Sequence, residues 1–152
     1  MNCLLTGATG IVGSHIMFEW LYKAMVDKTV NHLFVVIRNN EQTAEKRLGS
    51  ILNDASRPNY LNQFTLSECL NYITILSDDL ASIRKETLSV YHVYTIIHCA
   101  GSTSLLHTQR SKNEVHNQNF LVTENLLNQL PETVKRFIYI STAYSFGIQH
   151  EK

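Results

Sequence analysis

Apolar residues fall along this chain in two alternating patterns. Short unbroken runs recur at residues 2–6 (NCLLT), 32–37 (HLFVVI), 72–76 (YITIL), 94–99 (YTIIHC) and 136–140 (RFIYI). Each has strand length, and several are rich in β-branched residues. Between them lie stretches with helical spacing. Residues 11–26 place Val12, Ile16, Trp20, Leu21 and Ala24 at helical intervals, and residues 41–54 place Ala44, Leu48, Ile51 and Leu52 on one face. Residues 114–130 carry Val115, Asn119, Val122, Leu126 and Leu130 on one stripe, with Pro131 ending it. Arg57, Pro58 and Asn59 break the second of these segments, and residues 62–70 are polar and weakly patterned.

Strands that are apolar throughout are covered on both faces, and their alternation with amphipathic helices predicts βαβ units around a parallel sheet. Right-handed crossovers then give an α/β, doubly wound, Rossmann-like sheet of about five strands in the order 3-2-1-4-5. The whole chain of 152 residues reads as one domain.

The turn between the first strand and the first helix reads TGATGIVG, with Gly7, Gly10 and Gly13 three residues apart. Glycine spacing alone is weak evidence, and a turn with one capping glycine is the competing reading. The flanking strand and helix favour a dinucleotide cradle. There Gly7 allows the tight turn, Gly10 lets the backbone approach phosphate, and Gly13 lets the helix pack close to the sheet. Ile11 and Val12 open the helix, whose N-terminus offers free N–H groups and a partial positive charge to a pyrophosphate. Thr6, Thr9 and Ser14 add hydroxyls around the turn.

At the end of the second strand stands Arg38, where an acidic residue would bind the ribose 2′-hydroxyl of NAD. A guanidinium fork suits the 2′-phosphate of NADP, and Arg47 in the next helix is a candidate second charge; ordinary surface arginines are the competing reading. The expected cofactor is therefore NADP(H) in preference to NAD(H).

The spelling TGATGIVG resembles the TGATGFLG-type signature of the extended short-chain dehydrogenase/reductase family. Further stretches fall in that family's order: VVIRN (35–39), Asp78-Asp79-Leu80, IIHCAG (96–101), NFLVTENLL (119–127) and FIYISTAYSFG (137–147). Val122 departs from the family's glycine at its position. VVIRNNEQTAEKRL, HCAGSTS and STAY are similar to the thioester reductase and fatty acyl-CoA reductase (male sterility) branch, which uses NADPH to reduce an acyl thioester to an aldehyde or alcohol.

The resemblance implies that Asp79 contacts the adenine amino group with Leu80 packed nearby, Asp78 being an equal candidate by position. It places Cys99, Ala100 and Gly101 under the nicotinamide ribose, and Asn119 and Ser141 beside the cofactor. It aligns Thr142 with the catalytic Ser/Thr that hydrogen-bonds the substrate carbonyl, with Ser141 its neighbour; a plain strand end is the alternative for both. The family's proton donor is a Tyr-x-x-x-Lys pair, and no tyrosine in these 152 residues has lysine four positions on. The expectation is therefore the cofactor-binding half of a reductase, inactive alone. A non-catalytic dinucleotide-binding module or degenerate relic is one alternative, and a fragment of a nucleotide-sugar epimerase or dehydratase is another.

Charge and composition exclude other classes. Thirteen basic residues balance thirteen acidic ones, leaving no electrostatic footprint for nucleic acid or an anionic membrane surface. Three cysteines without C-x-x-C spacing, and no apolar run of spanning length, predict a soluble cytoplasmic protein. Seven histidines show no ligand spacing, so no metal is expected. A five-stranded sheet with an open last edge predicts apolar surface there and a homo-oligomer through it.

Overall fold

The computed structural model describes residues 1–77, 79–103 and 108–141. Five parallel strands form one sheet in the order β3-β2-β1-β4-β5, as the sequence pattern predicts. They are β1 (Asn2–Thr6), β2 (Leu33–Val36), β3 (Ile73–Ser77), β4 (Val93–His98) and β5 (Arg136–Tyr139). Register runs Leu4 beside Phe34 and Ile96, and Ile97 beside Ile138. Helices α1 (Ile11–Tyr22), α2 (Ala44–Leu52) and α3 (Leu66–Leu70) belong to one layer, while α4 (Lys85–Val90), α5 (Gln109–Val115) and α6 (Val122–Asn128) belong to the other.

Two cores result. Leu5, Met17, Phe18, Leu21, Val35, Leu48, Leu52, Leu61 and Cys69 fill the first. Leu4, Phe34, Leu80, Leu88, Ile96 and Leu126 fill the second. Alternate residues of β1 therefore supply both sides, which is why its pattern is apolar throughout.

Residues 11–26 bury Leu21 and Ala24 as their spacing suggests, but the rest of the inward stripe is different. Gly13, Ser14, Met17, Phe18 and Leu21 are buried, whereas Val12 is exposed and Ile16 and Trp20 lie at the flank. The helix is apolar nearly all round, so periodicity alone cannot choose its inward face. The close approach of Gly13 to the glycine turn fixes the rotation instead.

The third predicted helix is longer and interrupted. It starts at α5, behind a Thr108 cap, and passes through a π turn at His116–Leu121 before continuing as α6. A π turn of this kind re-aims side chains and recurs at functional sites. α3 sits in the segment read as weakly patterned; its signal was the T-x-x-E capping box of Thr65 and Glu68, both halves of which are formed.

Arg57, read only as a helix breaker, is a structural anchor. Its guanidinium donates to the carbonyls of Leu52 (3.1 Å), Leu61 (2.6 Å) and Phe64 (2.7 Å), tying the end of α2 to the connection that leads into β3. On the open side of the sheet, Ile138, Tyr139 and Ile140 are 44%, 47% and 38% exposed. Ile138 shares its face with Ile97, and Tyr139 shares the opposite face with His98.

Candidate functional site

The glycine turn joins β1 to α1 at the carboxyl edge of the sheet, beside the point where chain order reverses between β1 and β4. Ligands of open α/β sheets bind at such a switch point.

Each glycine there has its own physical reason. Gly7 has φ +71°, and a Cβ on it would lie 2.7 Å from the Ala100 nitrogen and the Cys99 carbonyl carbon. Gly13 is packed harder still: a Cβ would fall 2.1 Å from the Gly7 carbonyl oxygen. Gly10 differs from both. It is exposed, its N–H closes the turn on the Gly7 carbonyl at 3.0 Å, and a Cβ would meet only that oxygen, at 3.4 Å. Packing therefore demands glycine at 7 and 13, while at 10 the space is left open to solvent.

That open space faces an uncapped helix end. Threonine hydroxyls cap α2, α3 and α5, each accepting from an N–H of the first turn. Gly10 gives α1 no such acceptor. The first-turn N–H groups of Ile11, Val12 and Gly13 have no intrahelical acceptor by construction, and Ile11 is 85% exposed. A phosphate placed there meets donors and the positive end of a helix dipole. These residues fit a dinucleotide pyrophosphate.

The three hydroxyls expected around the turn have other duties. Thr6 is fully buried; its Oγ1 accepts from the Ala100 N–H at 3.1 Å and bonds His98 Nδ1 at 2.6 Å, so it faces the sheet and not a phosphate. Burying β1 between two strands leaves it no other direction. Ser14 donates to the Ile11 carbonyl at 3.0 Å. Thr9 accepts from Arg47 Nη2 at 3.0 Å.

Arg47 also donates through Nη1 to the Arg38 carbonyl at 2.5 Å. Its half-buried guanidinium thus spans the gap from the glycine turn to the end of β2. The Arg38 head group is exposed and makes no hydrogen bond among the described residues. Both arginines stand at the same edge of the sheet, beside the glycine turn, with the Arg47 head group held by two acceptors and that of Arg38 open to solvent.

Beyond β3, Asp79 is exposed and its Oδ1 accepts from the Ala81 N–H at 2.9 Å, capping a short 3₁₀ turn at Leu80–Ser82. Leu80 is buried in the second core. Asp78 lies outside the described residues, as does Thr142.

At the end of β4, His98 links both sides of the site. Thr123 donates its hydroxyl proton to the Asn119 carbonyl at 2.6 Å, so its contact with His98 Nε2 at 2.8 Å requires Nε2–H to donate. Nδ1 then accepts from Thr6. Burial lowers the His98 pKa, which agrees with this neutral form. His98 is a satisfied strand residue with no lone pair left for catalysis.

Asn119, aimed by the π turn, docks on the loop after β4: its Oδ1 accepts from Ser102 N–H at 2.6 Å and its Nδ2 donates to the Ser102 carbonyl at 2.9 Å. Gly101 lies against it, a Cβ there coming 3.0 Å from Asn119 Oδ1. Asn119 therefore shapes the path Cys99–Ala100–Gly101–Ser102, its amide used on the Ser102 backbone. Cys99 is half-buried, and burial raises its thiol pKa. Ser141 is exposed just after β5, whose Ile140 N–H bonds the His98 carbonyl at 3.0 Å. No group of metal-ligating side chains occurs among the described residues.

A family model described as male sterility protein, an NAD-binding domain, matches residues 5–152. The chain belongs to the NAD-binding male sterility protein family. The solved structures similar to this male sterility domain share its fold. A thiolation-reductase di-domain from an archaeal non-ribosomal peptide synthetase is 19% identical, with TM-score 0.69, over 96% of this chain and 29% of that one. The reductase domain of a non-ribosomal peptide synthetase from Mycobacterium tuberculosis is 22% identical, with TM-score 0.64, over 93% and 33%. UDP-glucuronic acid 4-epimerase from Bacillus cereus, solved with NAD, is 20% identical, with TM-score 0.63, over 99% and 43%. The chain thus spans between 29% and 43% of the length of these structures. No curated protein matches it. The family is one of NAD-binding domains, and the uncapped end of α1 is the place in this fold where a dinucleotide pyrophosphate fits.

Proposed function

We propose that this domain is the NADP(H)-binding part of a reductase whose substrate is an acyl thioester or related carbonyl. The observation that carries the cofactor choice is the Arg47 guanidinium spanning Thr9 and the Arg38 carbonyl. It brings a fixed positive charge to the rim between the glycine turn and β2, where NAD-selective domains place a carboxylate. NADPH, when bound, supplies a hydride to the carbonyl carbon. The residues of this chain grip the pyrophosphate at Ile11–Gly13, hold the 2′-phosphate with Arg47 and Arg38, and pass the nicotinamide ribose along Cys99–Gly101. Thr142 with its neighbour Ser141 is the proposed carbonyl-binding pair; the tyrosine–lysine pair that such a reductase uses as proton donor is not among these 152 residues.

The substrate class rests on family membership and on the STAY and HCAGSTS stretches, and Arg38 at the position of the NAD-binding carboxylate weighs against the nucleotide-sugar reading. We further propose a cytoplasmic location, supported by three unpaired cysteines; no helix among the described residues is long and apolar enough to cross a membrane. The apolar edge at Ile138–Ile140 supports self-association.

The test is equilibrium binding of NADPH and NADH to the wild-type chain and to Arg38→Asp and Arg47→Ala. Loss of one charged hydrogen-bonding partner costs about 1.5–3 kcal/mol, or roughly 10- to 100-fold in NADPH affinity. NADH affinity should hardly change in Arg47→Ala, and should hold or rise in Arg38→Asp, whose carboxylate can take the ribose 2′-hydroxyl. Equal affinity of the wild type for both cofactors would refute the NADP(H) assignment.

A further inference from the structure

We infer that Thr9 sets dinucleotide selectivity by positioning Arg47, and does so without relying on a contact of its own to the cofactor. The inference rests on the NADP(H) reading above. Thr9 lies inside the glycine turn, between Gly7 and Gly10, where a hydroxyl would ordinarily be assigned to the pyrophosphate. Its Oγ1 instead accepts from Arg47 Nη2 at 3.0 Å, while Nη1 of the same guanidinium donates to the Arg38 carbonyl at 2.5 Å. Two acceptors on two terminal nitrogens fix both the place and the plane of a rigid fork. A guanidinium has five N–H donors, so three remain for a phosphate.

The three partners come from separate elements. Thr9 belongs to the β1–α1 turn, the Arg38 carbonyl follows β2, and Arg47 is one turn into α2, where its N–H bonds the Thr43 carbonyl at 3.0 Å. Arg47 is otherwise a long side chain with about 2 kcal/mol of rotamer entropy to lose on immobilisation. Holding it before the ligand arrives removes part of that cost from binding. Without the Thr9 hydroxyl, the head keeps one acceptor and swings about the Nη1 contact.

The two roles for Thr9 make different predictions. A hydroxyl that donates to the pyrophosphate serves NADH and NADPH alike. A hydroxyl that holds Arg47 serves only the ligand that carries a 2′-phosphate. The experiment is calorimetric titration of the full chain with NADPH and NADH for wild type, Thr9→Val, Thr9→Ser, Arg47→Ala and the Thr9→Val/Arg47→Ala double variant, with thermal unfolding of each unliganded variant. Valine keeps the shape and removes the hydroxyl; serine restores it.

The expected result is a roughly tenfold loss of NADPH affinity in Thr9→Val, the size of one charge-assisted hydrogen bond. NADH affinity should be unchanged, Thr9→Ser should behave as wild type, and Arg47→Ala should leave nothing further for Thr9→Val to remove. Equal weakening of both cofactors in Thr9→Val overturns the inference in favour of direct pyrophosphate contact, and no change in either overturns it outright. A wild type that does not distinguish the cofactors refutes the NADP(H) reading itself, an outcome seen before any variant is compared.

Discussion

Replacing Gly13 by alanine should destabilise the domain, although alanine is the better helix former. An added Cβ falls 2.1 Å from the Gly7 carbonyl oxygen and 3.1 Å from the Ala8 Cα, and both neighbours are backbone. Relief at ordinary contact distance requires α1 and the turn to separate by roughly 1 Å, in an interior packed too densely to absorb it. Overpacking costs about 1–3 kcal/mol, a clash this short with backbone stands at the top of that range, and helix propensity returns about 1 kcal/mol. The net loss is about 2 kcal/mol, or a fall in Tm of roughly 4–8 °C for a chain of this size. Gly49 supplies the internal control. It lies within α2 with nothing inside 4 Å of its added Cβ, so Gly49→Ala should gain about 1 kcal/mol from propensity alone. Urea unfolding of both variants beside wild type measures the two signs, with an unchanged m-value showing that the folded and unfolded states are comparable. A Gly13→Ala midpoint at or above wild type would refute the packing account of this turn.

Four further outcomes follow from the same structure. Gly10→Ala should keep its stability to within about 1 kcal/mol, because its Cβ meets only one atom at 3.4 Å, yet bind dinucleotide about tenfold more weakly or worse where the methyl crowds the phosphate; titration and unfolding of one preparation give both numbers. Arg57→Met leaves the Leu52, Leu61 and Phe64 carbonyls without their donor and should cost about 3 kcal/mol in urea unfolding. His98 and His32 have pKa values lowered by burial, so the unfolded chain takes up protons first as pH falls below 6.5. Stability should accordingly decline as pH falls beneath 6.5, with a shallower decline in His98→Gln. It should hold through neutral pH and decline again above about 8.5, where the unfolded thiols ionise and the buried ones do not. Burial pushes the Cys3 thiol up to about 12 and raises Cys69 and Cys99; all three should react with a disulfide reagent at pH 8 far more slowly in the native chain than in urea, where thiols return to about 8.5.

The sheet was legible because each strand is apolar on both faces, a pattern that only a doubly covered parallel sheet explains. The turn was legible because its glycines sit between a strand and a helix. Less visible was which atoms each residue uses. Thr6 and Thr9 look alike in sequence, yet one turns into the sheet toward His98 and the other outward to Arg47, because the first still belongs to β1 and the second does not. Arg47 resembled a surface arginine, since nothing local announces that α2 begins at Ala44 and carries residue 47 over the turn. The inward face of α1 was read correctly at Leu21 but not at Val12, because apolar residues surround the helix and a tertiary contact at Gly13 decides the rotation. The π turn that aims Asn119 at Ser102 shifts the helical period by one residue, which no count of 3.6 anticipates.

The most direct test of the site is an amide-resolved NMR titration of the wild-type chain with NADPH and with NADH. Both cofactors should move the Ile11, Val12 and Gly13 amides at the open end of α1, and NADPH alone should also move the Arg47 guanidinium resonance. Shifts confined to other parts of the molecule, or an Arg47 response identical for the two cofactors, would contradict the assignment of this turn and its arginine to the pyrophosphate and 2′-phosphate.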